Sequence, residues 1–214
     1  MRNLCALCVK KIIYYLTAKS AEISQGTQRQ SNSIITFFML ENILTTISSL
    51  LEPYLKNKLG LDYDNPVLIS KLVNEDGSST LHNVNAVVIS LYNIQQENIY
   101  SSNTSSSGNR PVQLNFYLLF SACFTSRYLD SFNYLYAVIS FFQTYPVLNH
   151  SNAPQLDAEI NKLSFEIENL DTSSVSQLWG AIGAKHLPFV LYKIRMVTIN
   201  EPTGGGASTF TSLR

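Results

Sequence analysis

The hydrophobic positions of this chain switch repeatedly between a period near 3.6 and a period of 2, which predicts helices and strands in alternation. From Leu40 the apolar residues Leu40, Ile43, Leu44, Ile47, Leu51, Tyr54 and Leu55 recur at steps of three and four. That spacing predicts an amphipathic helix ending near Gly60, with Pro53 expected to kink it or mark a boundary. Val67 to Val73 reads as a short strand followed by an Asp76-Gly77 turn. Ala86 to Ile94 is apolar on both faces for much of its length and predicts a central strand. Val112 to Phe124 alternates Leu114, Phe116, Leu118 and Phe120 against more polar neighbours, a third strand.

Arg127 to Thr144 predicts a second helix with Phe132, Leu135, Ile139 and Phe142 on its packed stripe, ended by Pro146 and a loop to Pro154. Lys162 to Leu170 alternates most cleanly, with Leu163, Phe165 and Ile167 facing in while Ser164, Glu166 and Glu168 face out. Asp171 is placed to N-cap a third helix carrying Val175, Leu178, Trp179 and Ile182. Gly183 stands where a helix C-cap glycine belongs, and Pro188 prevents the helix from resuming. A final strand then runs to Ile199, with Val190, Tyr192, Ile194, Met196 and Thr198 on one face and Leu191, Lys193, Arg195, Val197 and Ile199 on the other. Three helices and about five strands predict an α+β single domain whose mixed or antiparallel sheet is covered by helices.

The ends are less patterned. Residues 17–33 are polar and read as a linker, so residues 1–38 are set apart as an N-terminal extension that a misassigned start codon would produce, Met39 being the alternative start. The domain is expected over 39–200, with 201–214, which contain Pro202 and Gly204-Gly205-Gly206, as a flexible tail. SSNTSSSGNRP at 101–111 predicts a mobile loop.

Composition changes this picture in one respect. Of 214 residues, 45% are hydrophobic and only 14% charged, against roughly 25% charged in an average soluble domain. A lightly charged surface suits a subunit that buries area in an assembly. Net charge is zero, and five of the basic residues lie in 1–38, so the rest of the chain is mildly acidic. With no basic stripe to meet phosphates, nucleic-acid binding is not expected. No run approaches the roughly 18 apolar residues of a membrane span, so no membrane insertion is predicted. Lys10 and Lys11 interrupt the early apolar run, which does not read as a signal peptide. A surface anchor over Leu4 to Leu16 would have little on its polar face besides those two lysines.

Candidate chemistry is sparse. Cys5 and Cys8 have the spacing of half a zinc site without the other half, and Cys123 is expected as a buried free thiol, so no metal is expected. His82, His150 and His186 fall in separate predicted turns with no ligand spacing. The triple glycine lacks the strand-loop-helix context of a phosphate cradle, and no Gly-x-Ser-x-Gly elbow occurs. Glu166 and Glu168 read as the solvated side of a strand rather than an acid–base pair. No catalysis and no cofactor are expected; a small enzyme or ligand-binding domain near the histidines is the alternative of another class.

In order, the helix from Leu40 to Leu59, the segment Leu68 to Gly77, Val87 to Ile94, Leu114 to Phe120, Val138 to Gln143, Leu178-Trp179-Gly180 and Leu191-Tyr192-Lys193 resemble the cap, or tail-terminator, proteins of contractile injection systems of the antifeeding-prophage and Photorhabdus virulence cassette type. The resemblance is to the N-terminal domain family of the cap protein and spans roughly residues 39 to 199. It implies a structural role: a hexameric ring that ends tube polymerisation and anchors the last sheath ring, with tube and sheath subunits as partners and assembly in the bacterial cytoplasm. Another tail-completion or adaptor role in a phage-like particle is the nearest alternative. Gly183, Lys185, Pro188, Tyr192, Lys193 and Arg195 are the expected interface residues, with the loop from Tyr145 to Pro154 beside them. Because sheath subunits of such machines exchange strands, the backbone edge of the final strand is the expected docking line.

Overall fold

In the computed structural model the described residues are 27–62, 65–81, 84–97, 114–125 and 127–198, with side chains described from residue 39. The chain divides into two compact units, 1–41 and 42–214. Of the first, the described part is the opening of helix α1 (Thr27–Leu59). That helix begins inside the stretch expected as a linker, so the polar sequence from Thr27 onward is helical.

In the second unit, α1 is followed by β1 (Val67–Ile69), β2 (Asn85–Gln96), β3 (Leu114–Phe124), α2 (Tyr128–Thr144), β4 (Val147–Asn149), β5 (Ile160–Ile167), α3 (Thr172–Ile182) and β6 (Phe189–Thr198). The architecture is α+β. A mixed six-stranded sheet has the order β1-β2-β3-β6-β5-β4. Only β1 and β2 run parallel, and all other neighbours are antiparallel.

The α1 stripe is as predicted: Ile43, Ile47, Leu51 and Leu55 are fully buried. Pro53 does not end the helix, which continues to Leu59. Proline removes one amide donor there, and its ring is on the exposed side. Of the expected α2 stripe, Leu135 and Phe142 are buried and Ile139 is half-buried, but Phe132 is not on the packed face. Ser131, Tyr134, Leu135, Val138, Phe141 and Phe142 are buried, while Phe132 is 47% exposed. The helix is apolar around most of its circumference, so period alone does not orient it.

The α2 aromatics lie on one face of the sheet. Phe142 packs on Phe120, Phe165 and Tyr192 at ring separations of 5.4, 4.4 and 4.6 Å. Tyr54 of α1 meets Phe141 edge-on at 5.3 Å. The opposite face carries α3, whose Leu178 and Trp179 pack with Val88, Leu119 and Leu191. Asp171 caps α3 as expected, its carboxylate accepting the Ser174 amide at 2.7 Å. Gly183 closes the helix at φ +73°, the left-handed conformation that glycine adopts without a Cβ penalty.

The expected loop from Tyr145 to Pro154 contains β4, an edge strand only three residues long. Asn149 and Asn152 shape the turn after it: the Asn149 amide donates to Asn152 Oδ1 and Asn152 Nδ2 donates to the Val147 carbonyl. The turn is tied to α1, since Asn42 donates to the Gln155 carbonyl and accepts from the Asp157 amide at 3.0 and 2.8 Å.

Candidate partner-binding surface

The six expected interface residues fall into two places. Gly183 and Lys185 lie in the turn after α3, Lys185 exposed and Pro188 half-buried at the turn's end. The Pro188 carbonyl accepts the Ala122 amide of β3 at 2.9 Å, which fixes the start of β6. Gly183, Ala184, Lys185 and Leu187 form one wall of a cavity of about 410 Å³, whose other walls include Leu72, Leu81 and Cys123. The Cys123 thiol is buried and forms no disulfide among the described residues, and desolvation pushes its pKa up to about 11.

Tyr192, Lys193 and Arg195 lie on β6, and here the structure corrects the expected docking line. β6 is an interior strand, paired with β3 from Phe189↔Ser121 to Met196↔Leu114 and with β5 from Tyr192↔Ile167 to Thr198↔Ile160. Both flanks of its backbone are occupied. Tyr192 is 2% exposed beneath α2, and burial pushes its phenol up to about 12. Its ring has no surface to offer a partner. Lys193 and Arg195 are partly exposed on the other face. Arg195 Nη2 lies 3.4 Å from Glu166 and Nε 3.9 Å from Glu97, so the strand face read as solvated carries a cross-strand ion pair. At such exposure a pair of this kind contributes about 0–1 kcal/mol. The polar half of this sheet face also includes Tyr117, whose hydroxyl donates to Gln95 Oε1 at 3.0 Å.

The open backbone lies on β2. Its first half is buried and pairs with β1 from Val67↔Val87 to Ile69↔Ile89. The pairing stops where Ser90 Oγ donates to the Ser70 carbonyl at 2.6 Å. Beyond it, Leu91 to Gln96 are exposed and pair only with β3 among the described residues. The amide of Val87 donates to Pro66 and the carbonyl of Ile89 accepts from Ser70, so these residues aim their backbone groups away from β3. Continuing the alternation through the irregularity between Leu91 and Asn93 places the backbone groups of Leu91, Ile94 and Gln96 on the open flank. Asn93 Oδ1 accepts the Ile94 amide at 2.9 Å, a side chain guarding one of those donors. Ile69, Leu91 and Ile94 are 43, 38 and 43% exposed and share the sheet face that α2 covers farther along.

The sequence pattern points to a central strand at β2, and the family resemblance to a docking edge at β6, whereas the fold makes β6 interior and leaves β2 open over residues 91–96. The polar run Asn93, Gln95 and Gln96 after Val87–Ile89 is the signal for the edge. His150 and His186 are exposed in separate turns, and His186 packs 5.2 Å from the Trp179 ring. His82, Cys5, Cys8, Ile199, the 101–111 loop, the Leu4–Leu16 segment and the 201–214 tail lie outside the described residues. Among the described residues no group of three or more His, Cys, Asp or Glu could hold a metal ion. No described helix is long and apolar enough to cross a membrane.

Compared with known proteins, the chain matches the family model of the Pvc16 N-terminal domain over residues 42–208. No curated protein matches it. Among solved structures, the sheath/tube terminator of PVC, an extracellular contractile injection system, in its extended state aligns at 13% identity and a TM-score of 0.48. The alignment covers 81% of this chain and 63% of that one, so this chain spans under two thirds of that terminator. The family model covers the whole sheet, α2, α3 and the second-unit part of α1, and the chain belongs to the Pvc16 N-terminal domain family.

Proposed function

We propose that the chain is a structural cap subunit of a phage-tail-like contractile injection system, ending tube polymerisation and anchoring the last sheath ring as a hexamer. The observation that carries this reading is membership of the Pvc16 N-terminal domain family over residues 42–208. The role is non-catalytic, and its physics is that of surfaces. A ring closes when a head-to-tail contact returns to its start after a fixed rotation, which ends growth rather than extending a filament.

The sheath contact in this reading is strand addition at the open flank of β2, not at β6. An extended segment laid beside Leu91–Gln96 would take up the backbone groups of Leu91, Ile94 and Gln96, and its alternate side chains would cover Ile69, Leu91 and Ile94. The Gly183–Pro188 turn, with Lys185 at the mouth of its cavity, and the exposed parts of Lys193 and Arg195 are the accompanying side-chain contacts. Assembly takes place in the bacterial cytoplasm before the particle reaches its final location.

Electron microscopy of particles from a strain lacking this gene tests the reading. Sheaths of irregular length, or empty tubes shed from their sheaths, are expected; stable sheaths of normal length would defeat it.

A further inference from the structure

The flank of β2 from Leu91 to Gln96 is open among the described residues, and Leu91 and Ile94 are 38 and 43% exposed beside it. These two are three residues apart, a spacing that in a regular strand sends side chains to opposite faces. The irregularity between Leu91 and Asn93 brings both to the face that α2 covers, opposite Leu118 and Phe116 of β3. Asn93 and Gln95 lie on the other face with Tyr117 and Asn115. A strand that fits this flank therefore carries two apolar residues three apart, and polar residues where it meets Asn93 and Gln95.

We infer that the chain supplies this strand itself, through residues 208–213, laid antiparallel to β2 with Phe210 opposite Ile94 and Leu213 opposite Leu91. Phe210 and Leu213 are the large apolar residues of 200–214, and they too are three apart. The same register sets Thr209 opposite Gln95 and Thr211 opposite Asn93, polar against polar, and β-branched threonine favours extended backbone. The added strand takes up the backbone groups of Leu91, Ile94 and Gln96, and Phe210 displaces the Asn93 side chain from the Ile94 amide.

Topology selects the same segment. Gln96 lies opposite Leu114, Leu114 opposite Met196, and β6 stops at Thr198. The chain thus leaves β6 at the end of the sheet where the β2 flank finishes. Both β2 and β6 are antiparallel to β3, so a chain that turns back after β6 runs antiparallel to β2. Three strand spacings, about 14 Å, separate β6 from the lane beside β2. Residues 199–207 reach about 30 Å when extended, and Pro202 with Gly204-Gly205-Gly206 suits the corner. The resulting order, added strand-β2-β3-β6, is that of a Greek key, whose last strand returns by a long connection to lie beside the first. An edge filled from within is kept from pairing at random between copies. Only the regulatory consequence rests on the cap reading: there, residues 208–213 hold the flank until a sheath strand displaces them.

The test uses the purified full chain with Cys5 and Cys8 replaced by Ser; Cys123 is buried. Gln95 and Thr209 form a non-hydrogen-bonded pair in this register, the kind with the closer side chains. Gln95→Cys with Thr209→Cys should close an intramolecular disulfide under mild oxidation at least tenfold faster than Lys162→Cys with Thr209→Cys. Lys162 is exposed and pairs with Val197, next to the point where the chain leaves β6, so an unattached segment would reach it first. In hydrogen exchange followed by NMR, the Leu91 and Gln96 amides should be protected. Phe210→Asp with Leu213→Asp should speed their exchange at least tenfold and leave the Leu118 amide of β3 unchanged. Cross-linking at Lys162 that equals or exceeds that at Gln95 overturns the proposal. So does a disulfide between two chains, the sign of a segment exchanged between copies, or exchange at Leu91 and Gln96 that the double variant leaves as it was. None of these readouts involves sheath length, so failure of the cap reading and failure of this one are separate results.

Discussion

Replacing Trp179 with Ala tests the packing of α3 on the sheet. The indole is 5% exposed, in a cluster with Leu72, Val88, Leu119, Leu178 and Leu191. It meets Phe189 edge-on at 5.5 Å and His186 at 5.2 Å. Truncating a buried Trp to Ala costs about 3–5 kcal/mol, the transfer term plus the residual void. For a unit of this size each kcal/mol lowers the melting temperature by about 2–4 °C, so a fall of roughly 6–20 °C is expected. Trp179→Phe separates packing from polarity. Among the described residues Nε1 has no hydrogen-bond partner, so phenylalanine gives up no bond there and removes a buried donor, which offsets part of its smaller volume. Its cost should therefore be less than half that of Ala. Urea titration followed by far-UV circular dichroism, which does not depend on the lost fluorophore, reads both variants. An Ala variant within about 1 kcal/mol of the parent, or a Phe variant as damaging as Ala, would refute the reasoning.

Two further outcomes are expected. Gly183→Ala should destabilise by about 1–2 kcal/mol, because an L side chain is strained at φ +73°. A Cβ there meets nothing within 4 Å, so the loss is conformational, and a thermal melt showing no change would contradict the cap assignment. Alkaline stability should depend on Cys123. Its folded pKa of about 11 lies above the ordinary thiol value of 9.0, so the folded chain holds the thiol proton longer than the unfolded one. The resulting stabilisation is complete below the ordinary value and is lost as the pH rises to about 11. Cys123→Ala should therefore lose less stability than the parent across that window, and identical pH profiles would show that the thiol is not desolvated.

The parts of the fold that are legible in the sequence are those set by local chemistry. Val175, Leu178 and Trp179 define the α3 face, while Asp171 and Gly183 supply its two caps. Ile43, Ile47, Leu51 and Leu55 define the α1 face. Each involves residues within a few turns of one another. Where several faces are apolar, as in α2, period does not choose among them, and Phe132 points out although its spacing fits a core stripe. β4 is hidden because three residues between Tyr145 and Asn152 are too few to display alternation, and Ile167 is 44% exposed although the alternation of β5 points it inward.

Strand order is the non-local quantity that decides the candidate site. The face pattern of β6 says which side chains point together, but nothing within Phe189–Thr198 tells whether another strand lies beside it. That depends on Leu114–Ser121 and Ile160–Ile167 closing on it from both sides. Once they do, Tyr192 becomes a core ring and the backbone there cannot accept a partner strand. β4 and β1, the terminal strands, are only three residues each, a length that offers an intruding strand little purchase. The open flank of β2 is twice as long, begins where Ser90 ends the pairing with β1, and carries Leu91 and Ile94 exposed next to backbone that is unpaired among the described residues. Aggregation would be the usual consequence of such an edge. Asn93 occupying the Ile94 amide and the irregularity beside it blunt that risk while leaving the flank open to a partner strand that can displace one side-chain hydrogen bond.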